Sequence, residues 1–172
     1  AYNTDKIYPF ALRHDLVMSL PYLKKRYLKY EDYKLQTIND IFTKEQLEKA
    51  VILKANEMRT GIFINNNGNF KFQPLPIEAQ FAPIYAIEIF DFDGDNIQDI
   101  VLGGNFYRVK PEVGSYDGSH GLFLKGNGKG NFKTIKATDS GLFIKGEIRN
   151  FQRIGNQIFI AKNNSQLQVV GF

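Results

Sequence analysis

The chain has 172 residues, 43% of them hydrophobic, with no cysteine, no tryptophan and a formal net charge of +4. That is apolar material for one ordinary core, and it excludes disulfides and thiolate metal sites without fixing a compartment. The charge is spread: residues 1–60 carry 11 basic and 8 acidic side chains and residues 61–172 carry 11 and 10, so no basic stripe marks a nucleic-acid partner.

The longest strictly apolar runs, such as 50–53, are far too short to span a membrane. No signal peptide is visible and the chain starts at Ala1 without Met, which reads as a mature protein or an excised fragment. Up to about residue 50 the text is helical. "FALRHDLVMSL" spaces Leu12, Leu16 and Leu20 along one face, and Pro21 is expected to end that helix and open the next. "PYLKKRYLKYEDYKL" continues with Leu23, Tyr27 and Tyr30 on one face and Lys24, Lys25 and Lys29 on others. An amphipathic helix explains this mixture of basic and aromatic residues better than nucleic-acid binding does. "TKEQLEKA" pairs Thr43 with Gln46, a capping-box spacing for a third helix. The stripe Leu12, Leu16, Leu20, Leu23 and Tyr27 has to be buried somewhere, and residues 1–50 are expected to pack as a lead-in or insertion on the rest.

From residue 51 on, the reading changes to strands. "AVILKANEM", "TGIFINN", "NFKFQPL", "IYAIEIF", "QDIVLGG", "HGLFLKG", "NFKTIK", "GEIRNF", "NQIFIAK" and "LQVVGF" are short apolar or alternating segments separated by Asn and Gly turns. No helical pattern lies between them, which argues against a parallel sheet with crossover helices. The segments also repeat. "IFINNNGNFKF" at 62–72 is similar to "LFLKGNGKGNFKTI" at 122–135, and 89–105 overlays 148–164, setting Phe92 on Phe151, Val101 on Ile160 and Asn105 on Asn164. A repeat unit that cannot bury both its faces alone behaves as a propeller blade does. The expected fold is mainly β: two to three antiparallel, four-stranded, propeller-like blades in 51–172, one of them complete at about 83–135, after an N-terminal helical segment.

"IFDFDGDNIQDIVLGG" sets Asp91, Asp93, Asp95 and Asp99 within nine residues. Two carboxylates about 4 Å apart repel by roughly 1 kcal/mol in water and about 4 near a protein surface. A cation offsets that. Calcium takes six to eight oxygens at about 2.3–2.6 Å, and the Ile97 carbonyl can add a neutral oxygen to the alternating carboxylates, while Gly94 lets the backbone bend. An EF-hand is rejected: its Gly and final Glu positions hold Asn96 and Leu102, and no helices flank the loop.

The loop spacing, followed by "IVLGGN" and "GNGKGNF", resembles the calcium loop of FG-GAP and VCBS propeller repeats, with "NNNGNF" at 65–70 matching the same closing turn. The Phe-Gly pair of the FG-GAP repeat is missing, and its Gly-Ala-Pro stands here as Gly103-Gly104-Asn105. The resemblance implies one Ca²⁺ site formed by Asp91, Asp93, Asp95, Ile97 and Asp99. It also implies a module for protein or glycan interaction in a secreted or envelope-associated bacterial protein, and no catalytic residue. The next repeat, "NFQRIGNQI", has no acids, so a single site is expected.

"IEIFDFDGD" also resembles the first motif of haloacid dehalogenase phosphatases, in which Asp91 would be nucleophile and Asp93 general acid/base. The Thr of that motif is Asp95 here, and the later acids Glu112, Asp117, Asp139 and Glu147 are scattered. A third reading is a carbohydrate-binding module using the long loop 105–121, where Tyr107, Arg108, Tyr116 and Asp117 offer aromatic and planar polar surface. His120, with Ser115, Asp117 and Ser119 on one loop, does not make a convergent catalytic set. It reads as structural, as does His14.

Overall fold

The computed structural model describes residues 5–111 and 113–172. They divide into two compact units, 1–56 and 57–172.

In the first unit, α1 (Arg13–Ser19) stops before Pro21, which opens a short 3-10 helix (Pro21–Lys25). Two further helices follow, α2 (Ile38–Ile41) and α3 (Lys44–Glu48), each starting at a reciprocal capping box, Thr37 with Asp40 and Thr43 with Gln46. The second box is the one expected from sequence. The long amphipathic helix over 21–35 is not there. Arg13 donates to the carbonyls of Tyr27 (2.6 Å) and Leu28 (2.9 Å), and Asp32 accepts the Lys29 N–H at 3.0 Å. Backbone groups that a helix would pair within itself are taken by side chains instead. Tyr30, expected on the packed face, is exposed, and Tyr33 is buried in its stead. Leu23, Tyr27, Tyr33 and Ile41 form a small core joined by Leu16, Val17, Leu20 and Phe42. The apolar stripe is thus largely buried inside its own unit, with Leu12 exposed.

The second unit is mainly β, with three antiparallel sheets. A two-stranded sheet pairs β1 (Gly61–Asn66) with β2 (Asn69–Pro74). A four-stranded meander runs β3 (Ile84–Phe90), β4 (Asp99–Gly104), β5 (Leu122–Gly126) and β6 (Phe132–Ile135). After α4 (Ala137–Ser140) comes a three-stranded sheet of β7 (Glu147–Ile154), β8 (Gln157–Asn163) and β9 (Gln168–Gly171). Nine of the ten expected strands form. The tenth, "AVILKANEM", does not: Val51, Ile52 and Leu53 are 87, 72 and 89% exposed and unpaired in any strand. An unbroken apolar run has no period to fix it as a strand, and a strand exists only with a partner edge.

Every residue of β4 is buried, because both faces of the middle sheet are covered at this strand. Val101 points to one side and packs with Ile148, Phe151, Ile158 and Ile160 of the third sheet. Ile100 and Leu102 point to the other side, with Leu124, Leu75, Ala79 and the flanking Ile62. Strand alternation thereby supplies two cores from three consecutive residues.

The overlay of 89–105 on 148–164 holds only in its second half. Val101 and Ile160 are both buried in the same core, and Asn105 and Asn164 both adopt positive φ just after their strands. Phe92 and Phe151 are not equivalent. Eight residues, 91–98, separate β3 from β4, whereas Gly155 and Asn156 alone separate β7 from β8. Residues 150–154 are strand, and the aspartate loop has no counterpart in the third sheet.

Candidate metal centre

β3 and β4 are hydrogen-bonded antiparallel neighbours, and the aspartate loop is the connection between them. The loop curls because its carboxylates collect its own backbone donors. Asp91 accepts the N–H groups of Gly94 (2.8 Å) and Asp95 (3.1 Å) on Oδ1 and that of Asn96 (2.8 Å) on Oδ2. Gly94 and Asn96 take positive φ, +79° and +64°, at which Gly is unstrained and Asn tolerated. Asp99, at the start of β4, is wholly buried and accepts the N–H of Phe92 at 3.2 Å and that of Gly126 at 2.8 Å. A Cβ on Gly126 would lie 2.1 Å from the Gln98 carbonyl oxygen, so this approach of β5 to the loop needs glycine.

Asp91, Asp93 and Asp99 each offer a carboxylate oxygen within 4.8 Å of the others. Oxygens on opposite sides of one calcium ion lie about 4.6–5.2 Å apart, twice the usual bond length, so the three fit around a single cation. They also have capacity to spare: each oxygen holds two lone pairs, and only Oδ1 of Asp91 gives both to backbone donors. The chemistry of the donor set, all hard oxygen, suits calcium or magnesium rather than a thiolate- or imidazole-seeking metal.

Asp95 and Ile97 stand differently from the other three. Asp95 accepts the Ile97 N–H at 2.9 Å and pairs with the Lys125 ammonium at 2.9 Å. Lys125, on β5, also contacts Asp93. Its hydrogen bond, seconded by the Ile97 N–H, holds the Asp95 carboxyl below the usual carboxylate range, and the two aspartates in turn raise the lysine. Sequence reading does not find Lys125, since it reaches the loop from 32 residues beyond Asp93.

Antiparallel pairing of β3 with β4 also removes the strand-to-helix crossover that the phosphatase resemblance implies. The Asp91 carboxylate that would act as nucleophile is engaged by three backbone N–H groups.

At the far end of β4, loop 105–121 is pinned at its base. Asn105 donates to the carbonyls of Ser119 (2.6 Å) and Gly146 (3.1 Å) and accepts the Ser119 N–H at 3.0 Å. Phe106 and Tyr116 form an isolated antiparallel bridge. The Tyr107 N–H donates to the buried Glu147 at 2.9 Å, and Arg149 and Asn163 donate to the same carboxylate. Arg149 also lies over the Tyr85 ring, 4.4 Å from its centroid. Tyr107, Arg108, Tyr116 and Asp117 are all exposed on this pinned loop. Neither Glu147 nor Arg149 stands out in the sequence. His120 stacks on Phe143 at 4.8 Å, and His14 sits 3.1 Å from Asp15 and 3.5 Å from the Tyr30 hydroxyl.

Among the described residues no helix is long and apolar enough to cross a membrane. Comparison with protein-family models, with curated proteins and with solved structures gives no match.

Proposed function

We propose that the β unit is a calcium-binding repeat module of FG-GAP/VCBS type that serves interaction with a protein or glycan. The observation that carries this reading is the gathering of Asp91, Asp93 and Asp99 within 4.8 Å, on a loop between antiparallel strands. The sheets support it. A four-stranded meander is sandwiched between a two-stranded and a three-stranded sheet, which is how one blade of a propeller sits between two incomplete neighbours. In this reading Asp91, Asp93 and Asp99 hold one Ca²⁺, with Asp95 and the Ile97 carbonyl as the further oxygens of the set. The ion supplies positive charge that rigidifies the loop. A secreted or envelope location follows from the family resemblance.

Calorimetric titration of the full chain with calcium tests the site. One binding event is expected, abolished in Asp93→Ala; absence of heat at millimolar calcium overturns the reading. A glycan-binding use of loop 105–121 is the second reading, favoured by the exposed Tyr107 and Tyr116 on a base fixed by Asn105 and Glu147. Glycan binding that survives Tyr107→Ala with Tyr116→Ala overturns it.

A further inference from the structure

Asp91 is neutralised locally by three backbone N–H groups and Asp99 by two. Asp93 and Asp95 are different, because both lean on a full positive charge from another strand. The Lys125 ammonium bridges them, at 2.9 Å from Asp95 and in contact with Asp93. The backbone of Lys125 is fixed in β5, paired with Lys133 of β6. Its head group is half exposed at the end of a flexible four-carbon stem, free to withdraw without moving the strand. Asp93 belongs both to this pair and to the carboxylate triad. An ammonium and a divalent ion sharing one carboxylate would repel each other.

We infer that Lys125 is the built-in counter-cation of the aspartate loop. It keeps Asp93 and Asp95 in place when no divalent ion is bound, and a divalent ion enters as the lysine leaves Asp93. The second half rests on the calcium reading above; the first half does not.

Amide hydrogen exchange of the full chain separates the two. Lys125→Met keeps most of the apolar stem and removes the charge, and Lys125→Arg keeps the charge. In EDTA, the amides of Asp95 and Ile97, which donate to Asp93 and Asp95, should exchange roughly tenfold faster in K125M than in wild type, the factor that two exposed ion pairs are together worth. K125R should restore protection. Calcium should then protect the loop of K125M by a larger factor than that of wild type. Unchanged exchange of K125M in EDTA overturns the inference. So does loss of protection at Ile100 to Leu102 in both variants, which would assign Lys125 to packing rather than charge. Equal protection of wild type and K125M by calcium overturns the displacement half and leaves the calcium site standing. Faster exchange in K125M with no effect of calcium on either protein upholds the counter-cation and removes the calcium site.

Discussion

The backbone N–H of Gly126 donates to Oδ1 of Asp99 at 2.8 Å, wholly inside the protein. The other Asp99 oxygen takes the N–H of Phe92. One carboxylate therefore ties the start of the aspartate loop, the first residue of β4 and the last residue of β5. Asp99→Asn replaces one acceptor by a donor and leaves one of the two N–H groups facing it. The expected cost is about 1–3 kcal/mol, read as a lower denaturation midpoint at unchanged slope. Asp99 thus has a structural duty whether or not a cation is bound.

Metal removal gives the second prediction. A ligand that binds only the folded state adds about 2.7 kcal/mol at a hundred times its dissociation constant. Melting in excess calcium should exceed melting in EDTA, and Asp91→Asn combined with Asp93→Asn should erase the difference. Equal midpoints in calcium and EDTA would show that the loop's own donors and Lys125 suffice.

Glu147 gives a pH signature. Its carboxyl is held below its ordinary value of 4.5, first by the Tyr107 N–H and then by Asn163 and Arg149, against the opposing effect of burial. A carboxylate with a depressed folded pKa contributes stability that is complete above the unfolded value and disappears as pH falls through the folded one. Glu147→Gln should therefore melt below wild type near neutral pH. The gap should hold down to about pH 5 and close progressively below about 4.5. A gap independent of pH would show that Glu147 acts by shape alone.

The sheets were legible where the sequence alternates or turns on Asn and Gly. The similar stretches 62–72 and 122–135 both fold as hairpins, β1–β2 and β5–β6, and both turn through positive φ, at Asn67 and Gly68 and at Gly128 and Gly130. Sequence spacing failed where tertiary contacts decide. Phe92 and Phe151 both pack at one core, but Phe92 lies in an eight-residue loop and Phe151 inside β7, whose turn comes only at Gly155 and Asn156. The helix over 21–35 has the right period, yet Arg13 takes carbonyls that it would need. At the candidate site, Asp91, Asp93 and Asp99 each bring a carboxylate oxygen within 4.8 Å of the others, while Asp95 turns to Lys125. Lys125 and Glu147 act across 32 and 40 residues, a reach that adjacency along the chain does not encode.

The last prediction concerns β3. Ile87 faces Leu102 across the ladder and Ile89 faces Ile100, so all four share one side of the middle sheet. Leu102 and Ile100 are buried there beneath Leu75, Ala79 and the β1–β2 side, while Ile87 and Ile89 remain 58 and 56% exposed. The first sheet has two strands to the second sheet's four, and it leaves this edge uncovered. Substitution should follow coverage rather than residue type. Leu102→Ala empties a filled site and should cost about 2–5 kcal/mol. Ile87→Thr with Ile89→Thr keeps β-branched strand formers on an exposed surface and should change stability by less than about 0.5 kcal/mol each. The same pair should raise the concentration at which the chain begins to associate, since it removes an apolar patch beside an open strand edge. Light scattering and chemical denaturation check both arms. A large stability loss in the double threonine variant would mean that Ile87 and Ile89 are covered in solution.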